Sequence, residues 1–259
     1  MVAQNNQRSN DRGVSESIGF LLIFTIVIVG IGLVTLYGYP LLLKQQVSAD
    51  EKIMEKNMIV LQNDVKSLAY KTVPYKETSL KIGSGSLTVY NSSYEPSFSN
   101  ITIKDSVDTF VDKFEPGELR YESVSAQTDV SLQNGAVILR PRLSSGSVML
   151  AEPRWFYDDQ TKTMVINLVN FTSEGIMGRE GIGTVRMKLG ATNYTPYSVS
   201  GGSITLTYTP NPAMDYSVAW DNYLTKTLGM TPTGTPGTYQ MTDVTTLVIK
   251  TYEIKIESI

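Results

Sequence analysis

Asp158 and Asp159 are adjacent carboxylates and are the residues of this sequence that most resemble a catalytic acid–base pair. Two carboxylates can divide acid and base work when their surroundings separate their pKa values. Adjacent residues of a strand or turn, however, point in different directions. The segment from Asp158 to Lys162 is polar and stands before an apolar strand pattern. We therefore interpret the pair as part of a solvated hairpin turn, with no catalytic residues assigned.

Histidine and cysteine are both absent from the 259 residues. Without them the chain has no thiol nucleophile, no disulfide framework, no Ser-His-Asp triad, and neither of the usual zinc ligands. We expect that the protein is not an enzyme and needs no metal or cofactor. The formal net charge is −3 and the basic residues are scattered. This charge pattern argues against a nucleic-acid partner.

Two further motifs carry weaker signals. The segment GREGIG, residues 178–183, lacks the Gly-Lys-Ser/Thr ending of a phosphate loop and leads into a strand pattern. We predict a flexible hairpin loop there. Four aromatic residues can form a sugar-binding platform, although burial in a β sandwich is their commoner role. They are Trp155, Phe156, Tyr157 and Trp220.

A long apolar run dominates the N-terminal region. No charged residue occurs between Glu16 and Lys44, which leaves 27 uncharged positions. As a helix this run measures about 40 Å, whereas the hydrocarbon core of a bilayer is about 30 Å thick. We predict a membrane-embedded helix. Pro40 and the preceding glycines should weaken or kink its second half. Those glycines are Gly30, Gly32 and Gly38.

The order of the segments around this run is unusual. A short polar leader ends at Arg12-Gly13, before the apolar residues, whereas a secretory signal is cleaved after them. The stretch Val47 to Asp50 has the small residues of an ordinary signal peptidase site. Cleavage there would release a soluble protein starting at Asp50. The apolar run is longer than the 7–15 residues typical of such signals, which argues for its retention.

An amphipathic helix is predicted after Lys44. Apolar residues at spacings of four and three define one face of it: Met54, Met58, Leu61, Val65 and Leu68. The residues Ser48 to Glu51 fit a capping box that would start a separate helix. Alternatively, the helix continues from the apolar run with a kink at Pro40. Pro74 should end it.

Beyond Pro74 the sequence predicts an antiparallel β sandwich or a pair of meanders. Nine segments alternate apolar and polar residues between turn signals: 86–90, 101–104, 118–125, 136–141, 147–152, 163–171, 183–190, 203–209 and 245–258. One short helix is predicted before Gly229. The fold class is therefore α+β, with a long N-terminal hydrophobic helix followed by an antiparallel, β-rich, sandwich-like domain. Four sequons can accept N-glycans, at Asn91, Asn100, Asn170 and Asn193.

The chain thus has four parts: a leader (1–13), a transmembrane or filament-core helix (14–43), an amphipathic helix (44–73) and an extracellular β-rich domain (74–259). This is the general plan of a type IV pilin. Arg12-Gly13-Val14-Ser15 before the apolar helix resembles archaeal type IV pilin-like proteins with class III signal peptides. The segments RGVSESIGFLLIF, GSVMLAEPRW, MVINLVNF and VAWDNYL are similar to an uncharacterised archaeal family of pilin-like, membrane-anchored surface proteins.

The resemblance implies processing by a membrane aspartic peptidase between Gly13 and Val14, with Arg12 in the recognised motif. It also implies self-association through residues 18–43, in contact with membrane lipid before assembly. The N-terminus would be cytoplasmic before processing and the β domain would lie at the cell surface. Many pilins carry a Glu at the fifth mature position, but Glu16 would be third here. Glu16 either pairs with the terminal ammonium of a neighbouring subunit or lies at the lipid–water interface.

Three functions follow from these expectations. The first is a pilin-like subunit of a surface filament. The second is a single-pass surface protein that does not polymerise and whose β domain acts as an adhesin or binding module. The third, a membrane-tethered enzyme, has no motif in its favour.

Overall fold

The computed structural model describes residues 7–71, 73–91, 99–123 and 125–259, with side chains from residue 16 onwards. The chain divides into two compact units, Met1–Ala49 and Asp50–Ile259. Helix α1 (Gln7–Leu33) is followed by a π-helical turn (Val34–Gly38) and by helix α2 (Tyr39–Lys71).

The π-helical turn ends at Gly38, two residues before Pro40. A proline inside a helix removes one backbone donor, and its ring clashes with the carbonyl four residues earlier. A π turn rearranges the hydrogen bonds at that point. The weakening predicted for this part of the helix therefore takes the form of a local change from α-helical to π-helical geometry. Helix α2 passes through Ser48 without interruption, so the capping-box residues do not start a separate helix.

The apolar segment presents its side chains outward. The large apolar residues from Ile18 to Leu43 are 44–72% exposed. Within Glu16–Lys71 the helix is long and apolar enough to cross a membrane, and its apolar part ends at Leu43. This arrangement is compatible with a single-pass membrane anchor.

The part of α2 in the second unit is amphipathic, as predicted. The five apolar residues of its predicted face are at most 1% exposed: Met54, Met58, Leu61, Val65 and Leu68. Gln62 is also buried, and its amide donates to the carbonyls of Gly135 and Glu152 at 2.7 and 3.0 Å. These bonds fix the helix against the β strands. The helix ends at Lys71, shortly before Pro74.

The rest of the second unit is largely β structure. A short helix, α3 (Ser217–Asn222), continues as a π turn to Thr227. The described strands are β1 (Tyr75–Tyr90), β2 (Asn100–Lys104), β3 (Thr109–Phe114), β4 (Glu118–Ser123), β5 (Thr128–Gln133), β6 (Ala136–Pro141), β7 (Val148–Ala151), β8 (Phe156–Asp158), β9 (Thr163–Ser173), β10 (Met177–Ser198), β11 (Ser203–Thr209), β12 (Thr231–Pro232), β13 (Thr238–Thr242) and β14 (Thr246–Ser258).

These strands form two sheets. The larger has nine strands in the order β7-β6-β5-β4-β1-β10-β14-β9-β8, and the smaller has the order β12-β13-β11-β2-β3. The described pairings are antiparallel except for β9 with β14, which run parallel with Asn167 opposite Lys250. The predicted α+β class and the dominance of antiparallel pairing are confirmed.

The nine-stranded sheet contributes to two apolar cores. Val137 and Val169 pack in a cluster with the buried face of α2. Their neighbours in sequence, Ile138 and Leu168, pack in the other cluster, with the five-stranded sheet and α3. Successive strand residues point to opposite faces. The large sheet is therefore covered by α2 on one face and by the smaller sheet on the other.

The prediction of a flexible loop at residues 178–183 is wrong. These residues belong to β10 and pair with β1, with Glu180 opposite Ser86. The register shifts beside Gly83, which lies opposite Gly181, and both glycines have positive φ. Glycine permits this backbone conformation at a β-bulge, so the glycines allow an irregular strand instead of a loop.

Truncating the buried face of α2 should destabilise the β domain. Leu61→Ala is expected to lower the free energy of unfolding by about 2–5 kcal/mol, because Leu61 is completely buried in the core shared with the sheet. Denaturant unfolding of the full chain in detergent, followed by tryptophan fluorescence, measures this. The neighbouring Val60 is 46% exposed, and Val60→Ala should change the value by no more than about 0.5 kcal/mol. Equal effects of the two changes would contradict the packing described here.

Candidate functional site

The predicted processing motif lies within helix α1. Arg12, Gly13 and Val14 are helical in the backbone, and their side chains lie outside the described set. Glu16, the first residue with a described side chain, is exposed. The structure therefore shows that the motif lies in a helix. Cleavage at the motif stays a prediction.

Two threonine hydroxyls of the apolar segment are hydrogen-bonded within the helix. The hydroxyls of Thr25 and Thr35 donate to the carbonyls four residues earlier, at 2.8 and 2.9 Å. A Cβ placed on Gly19, Gly30 or Gly32 would meet no other atom within 4 Å. What remains is an apolar surface that needs an apolar environment.

The four sequons differ in accessibility. Asn91 is buried, and its amide nitrogen donates to the carbonyl of Ser173 at 2.9 Å. Asn100 on β2 and Asn170 on β9 are half-buried, whereas Asn193 on β10 is exposed. Among these four, the amide of Asn193 is the most accessible in the folded chain.

The aromatic residues and the carboxylate pair mostly serve the fold. Trp155 and Trp220 are buried in the core shared with the smaller sheet, with ring centroids 5.4 Å apart. Asp158 accepts from the backbone of Gln160 and the hydroxyl of Thr161 at 3.0 and 2.8 Å. These two bonds lower the pKa of Asp158, Thr161 contributing more. Asp158 is the last residue of β8 and Asp159 follows it in the turn to β9, so the pair lies at the predicted hairpin turn.

Phe156 differs from the tryptophans because it is 47% exposed. It helps to line a groove of about 300 Å³ on the face of the large sheet that carries α2. The groove is lined by Ala69, Tyr70, Arg154, Phe156, Val165, Asn167, Lys250 and Tyr252. We call it the cationic groove, since its two charged lining residues are both basic.

The positive charge of the cationic groove has no near counterion. Among the described residues, no carboxylate lies within 4 Å of the charged nitrogens of Arg154 or Lys250. Burial, and then the charge of Arg154, lower the pKa of the neighbouring Lys66. An anion would therefore be favoured there.

A second charged cluster lies on the opposite face of the large sheet and is buried. Glu118 and Arg120 are 1% and 5% exposed, and the Arg120 Nε donates to Glu118 at 2.9 Å. Glu118 also accepts from the hydroxyl of Ser131. Burial is the largest single influence on the pKa of Arg120 and lowers it, but the charge of Glu118, nearby tyrosines and the hydrogen bond to Glu118 together raise the pKa above its usual value.

This cluster extends along β5 and β6 and balances its own charge. The Arg142 Nε donates to Asp129 at 2.7 Å, and Arg140 lies 3.5 Å from the same carboxylate. Arg120 also donates to Glu122, at 3.1 Å. Three acidic and three basic side chains neutralise one another, so we assign the cluster to stability and not to ligand binding.

Sequence reasoning did not find the cationic groove. Its charged residues, Arg154 and Lys250, are almost a hundred positions apart in the chain. One signal was available: a basic residue, Arg154, and an aromatic residue, Phe156, stand two positions apart in the sequence.

Comparison with known proteins gives one match. Residues 12–257 match a family of unknown function, DUF7289, which covers nearly the whole chain. No curated protein and no solved structure matches the chain. The protein therefore belongs to this family of unknown function, DUF7289.

Proposed function

We propose that the protein is a type IV pilin-like subunit of a cell-surface filament, processed between Gly13 and Val14. The observation that carries this proposal is the outward-facing apolar segment from Ile18 to Leu43. Four residues separate it from Arg12-Gly13, and it precedes a β domain with its own cores. A secretory signal is discarded, but this segment is longer than such signals and has a leader in front of it.

The apolar side chains must be shielded from water. Lipid shields them before assembly, and other copies of the helix shield them in a filament. Between helices in lipid, association depends on close packing, and small residues permit it. Gly30 and Gly32 are free of intramolecular contacts at the Cβ position. They are available for the approach of a neighbouring helix.

The experiment on processing is N-terminal sequencing of native protein. The mature chain is expected to begin at Val14, and Gly13→Leu should leave the leader attached because a bulky side chain replaces the residue before the cut. Gly19→Leu, within the same helix, serves as the control and should be processed normally. A native N-terminus at Asp50 would overturn the proposal in favour of ordinary secretion.

The proposed orientation places the leader inside and the β domain outside. Protease added to intact cells should then remove residues beyond about position 50, without lysis. The leader carries Arg8 and Arg12 balanced by Asp11 and Glu16, so its charge gives little orientation by itself. Protection of the β domain in intact cells, lost on lysis, would reverse this orientation.

A second candidate function is an anchored binding module that does not polymerise. The cationic groove favours it, because that site lies in the β domain and requires no neighbouring subunit. Shearing of cells separates the two: a filament subunit appears in high-molecular-weight fibres, and an anchored module stays as detergent-soluble monomer.

A further inference from the structure

The cationic groove lies where helix α2 ends and leaves the large sheet uncovered. The helix stops at Lys71, and Tyr70 meets Tyr252 on β14 edge to face, with ring centroids 5.3 Å apart. Lys250 precedes Tyr252 by two positions and therefore points to the same face. Asn167, directly opposite Lys250 on β9, continues the floor.

Each cation of the groove is associated with an aromatic ring. The Arg154 Cζ lies 5.0 Å from the centroid of Tyr70, and the Lys250 Nζ lies 5.4 Å from that of Tyr194. Such contacts hold a cation in place without neutralising it. The amide of Asn167 donates to the backbone carbonyl of Arg154 and so fixes the chain at this residue. The charges are therefore positioned in advance of any ligand.

Two basic residues elsewhere on the same sheet form ion pairs. Lys255 on β14 pairs with Glu174 at 2.6 Å, and Arg186 on β10 pairs with Glu77 at 3.3 Å. Both lie outside the groove, and both have carboxylate partners. Arg154 and Lys250, in contrast, have no carboxylate partner within 4 Å among the described residues.

We propose that the cationic groove binds an acidic saccharide, a sugar ring that carries a carboxylate or sulfate group. The acid group would pair with Arg154 and Lys250, for which charge-assisted hydrogen bonds are strong. Phe156 and Tyr252 also line the groove. A sugar ring can pack against aromatic side chains of this kind. A volume of about 300 Å³ is at the small end of ligand sites, which suits one sugar unit of a longer chain.

An acidic peptide fits the same surface less well. Peptides commonly bind by adding a strand to a sheet edge or by filling apolar pockets. The floor of this groove is the face of two internal strands, β9 and β14, whose edges are already paired. The proposal concerns the β domain alone and holds whether or not the chain polymerises, so its failure is distinguishable from failure of the filament proposal.

The test uses the full chain in a neutral detergent, titrated with trigalacturonate as the probe. Arg154→Gln and Lys250→Gln are each expected to weaken binding by about tenfold, the value of one charge-assisted hydrogen bond. Lys104→Gln is the matched control, since Lys104 is an exposed lysine of β2 outside the groove. It should leave binding unchanged. Phe156→Ala should weaken binding of the sugar but not of inorganic sulfate.

Parallel titrations decide between the alternatives. A sulfated trisaccharide that binds more tightly than trigalacturonate supports the proposal and identifies the acid group. Equal binding of neutral maltotriose, or an equal loss with Lys104→Gln, overturns it. So does equal binding of a glutamate-rich peptide, which makes the site a peptide site, or binding of inorganic sulfate as tight as that of the sugars. Arg154 and Phe156 are exposed, so their variants should fold; an unchanged melting temperature verifies this.

Discussion

Arg120→Met is expected to remove about 3–5 kcal/mol from the free energy of unfolding, the typical cost of breaking a buried ion pair. Glu118 and Arg120 are nearly inaccessible to water, and the guanidinium lies 3.9 Å from the ring centroid of Tyr90. Methionine fills part of the space but supplies no charge. Among the described residues, the carboxylate of Glu118 would keep only the hydroxyl of Ser131 as a hydrogen-bond partner.

Denaturant unfolding followed by the fluorescence of Trp155 and Trp220 measures this loss, since both tryptophans are buried in the β domain. Arg186→Met is the control on the same sheet. Arg186 and Glu77 have side chains about half exposed, 50% and 44%, so breaking their pair should cost about 1 kcal/mol or less.

The double variant Glu118→Gln/Arg120→Met distinguishes two causes of the stability loss: the lost attraction between the two charges, and the cost of leaving the Glu118 carboxylate buried without a counterion. It should recover a large part of the stability, because the unpaired carboxylate is gone. A double variant less stable than Arg120→Met would show that the cluster contributes by net attraction, contrary to this expectation.

Gly30→Leu and Gly32→Leu are each expected to abolish sheared filaments while the protein stays at normal levels in the membrane. Leucine keeps the segment apolar and raises its helix propensity, so neither insertion nor helix formation should suffer. Within one chain the new side chain meets no neighbour near its Cβ. In the proposed filament, the obstruction would come from a neighbouring copy.

Immunoblots of shear fractions and of membranes measure the two pools. Ile31→Leu, between the two glycines, is the matched control and should leave the filaments intact. Filaments that persist in both glycine variants would exclude close helix approach at these positions. Wild-type cells that yield only detergent-soluble monomer would remove the filament proposal and leave the anchored binding module.

The helical part of this protein could be predicted because its signals are local. The uncharged run of 27 residues and the spacing of Met54, Met58 and Leu61 each lie within one helix. Most strands were predictable for the same reason, through their alternation. Residues 178–183 contain three glycines and give no clear alternation, so a loop is the prediction there, whereas pairing with β1 makes them a bulged strand.

The cationic groove could not be predicted, because its residues come together only through pairing between distant strands. Tyr70, Arg154 and Lys250 lie on three separate segments. The parallel contact of β9 with β14 places Lys250 opposite Asn167, whose amide donates to the carbonyl of Arg154. Alternation shows that Lys250 lies on one face of a strand but not which strand lies beside it. The burial of Asn91 could not be predicted for a similar reason, because its hydrogen-bond partner Ser173 is 82 positions away in the sequence.

The place of β14 has a consequence for the order of folding. Strands β9 and β10 follow each other in the chain, linked only by residues 174–176, yet β14 lies between them in the sheet. Adjacent strands are about 4.8 Å apart, so the short link must hold open a slot about 10 Å wide. Until residues 246–258 fill it, β9 and β10 each present an unpaired edge, and unpaired edges are prone to aggregation. Loss of β14 would therefore split the large sheet through its interior and separate β8 and β9 from the remaining strands, whereas loss of β7 would only shorten one side.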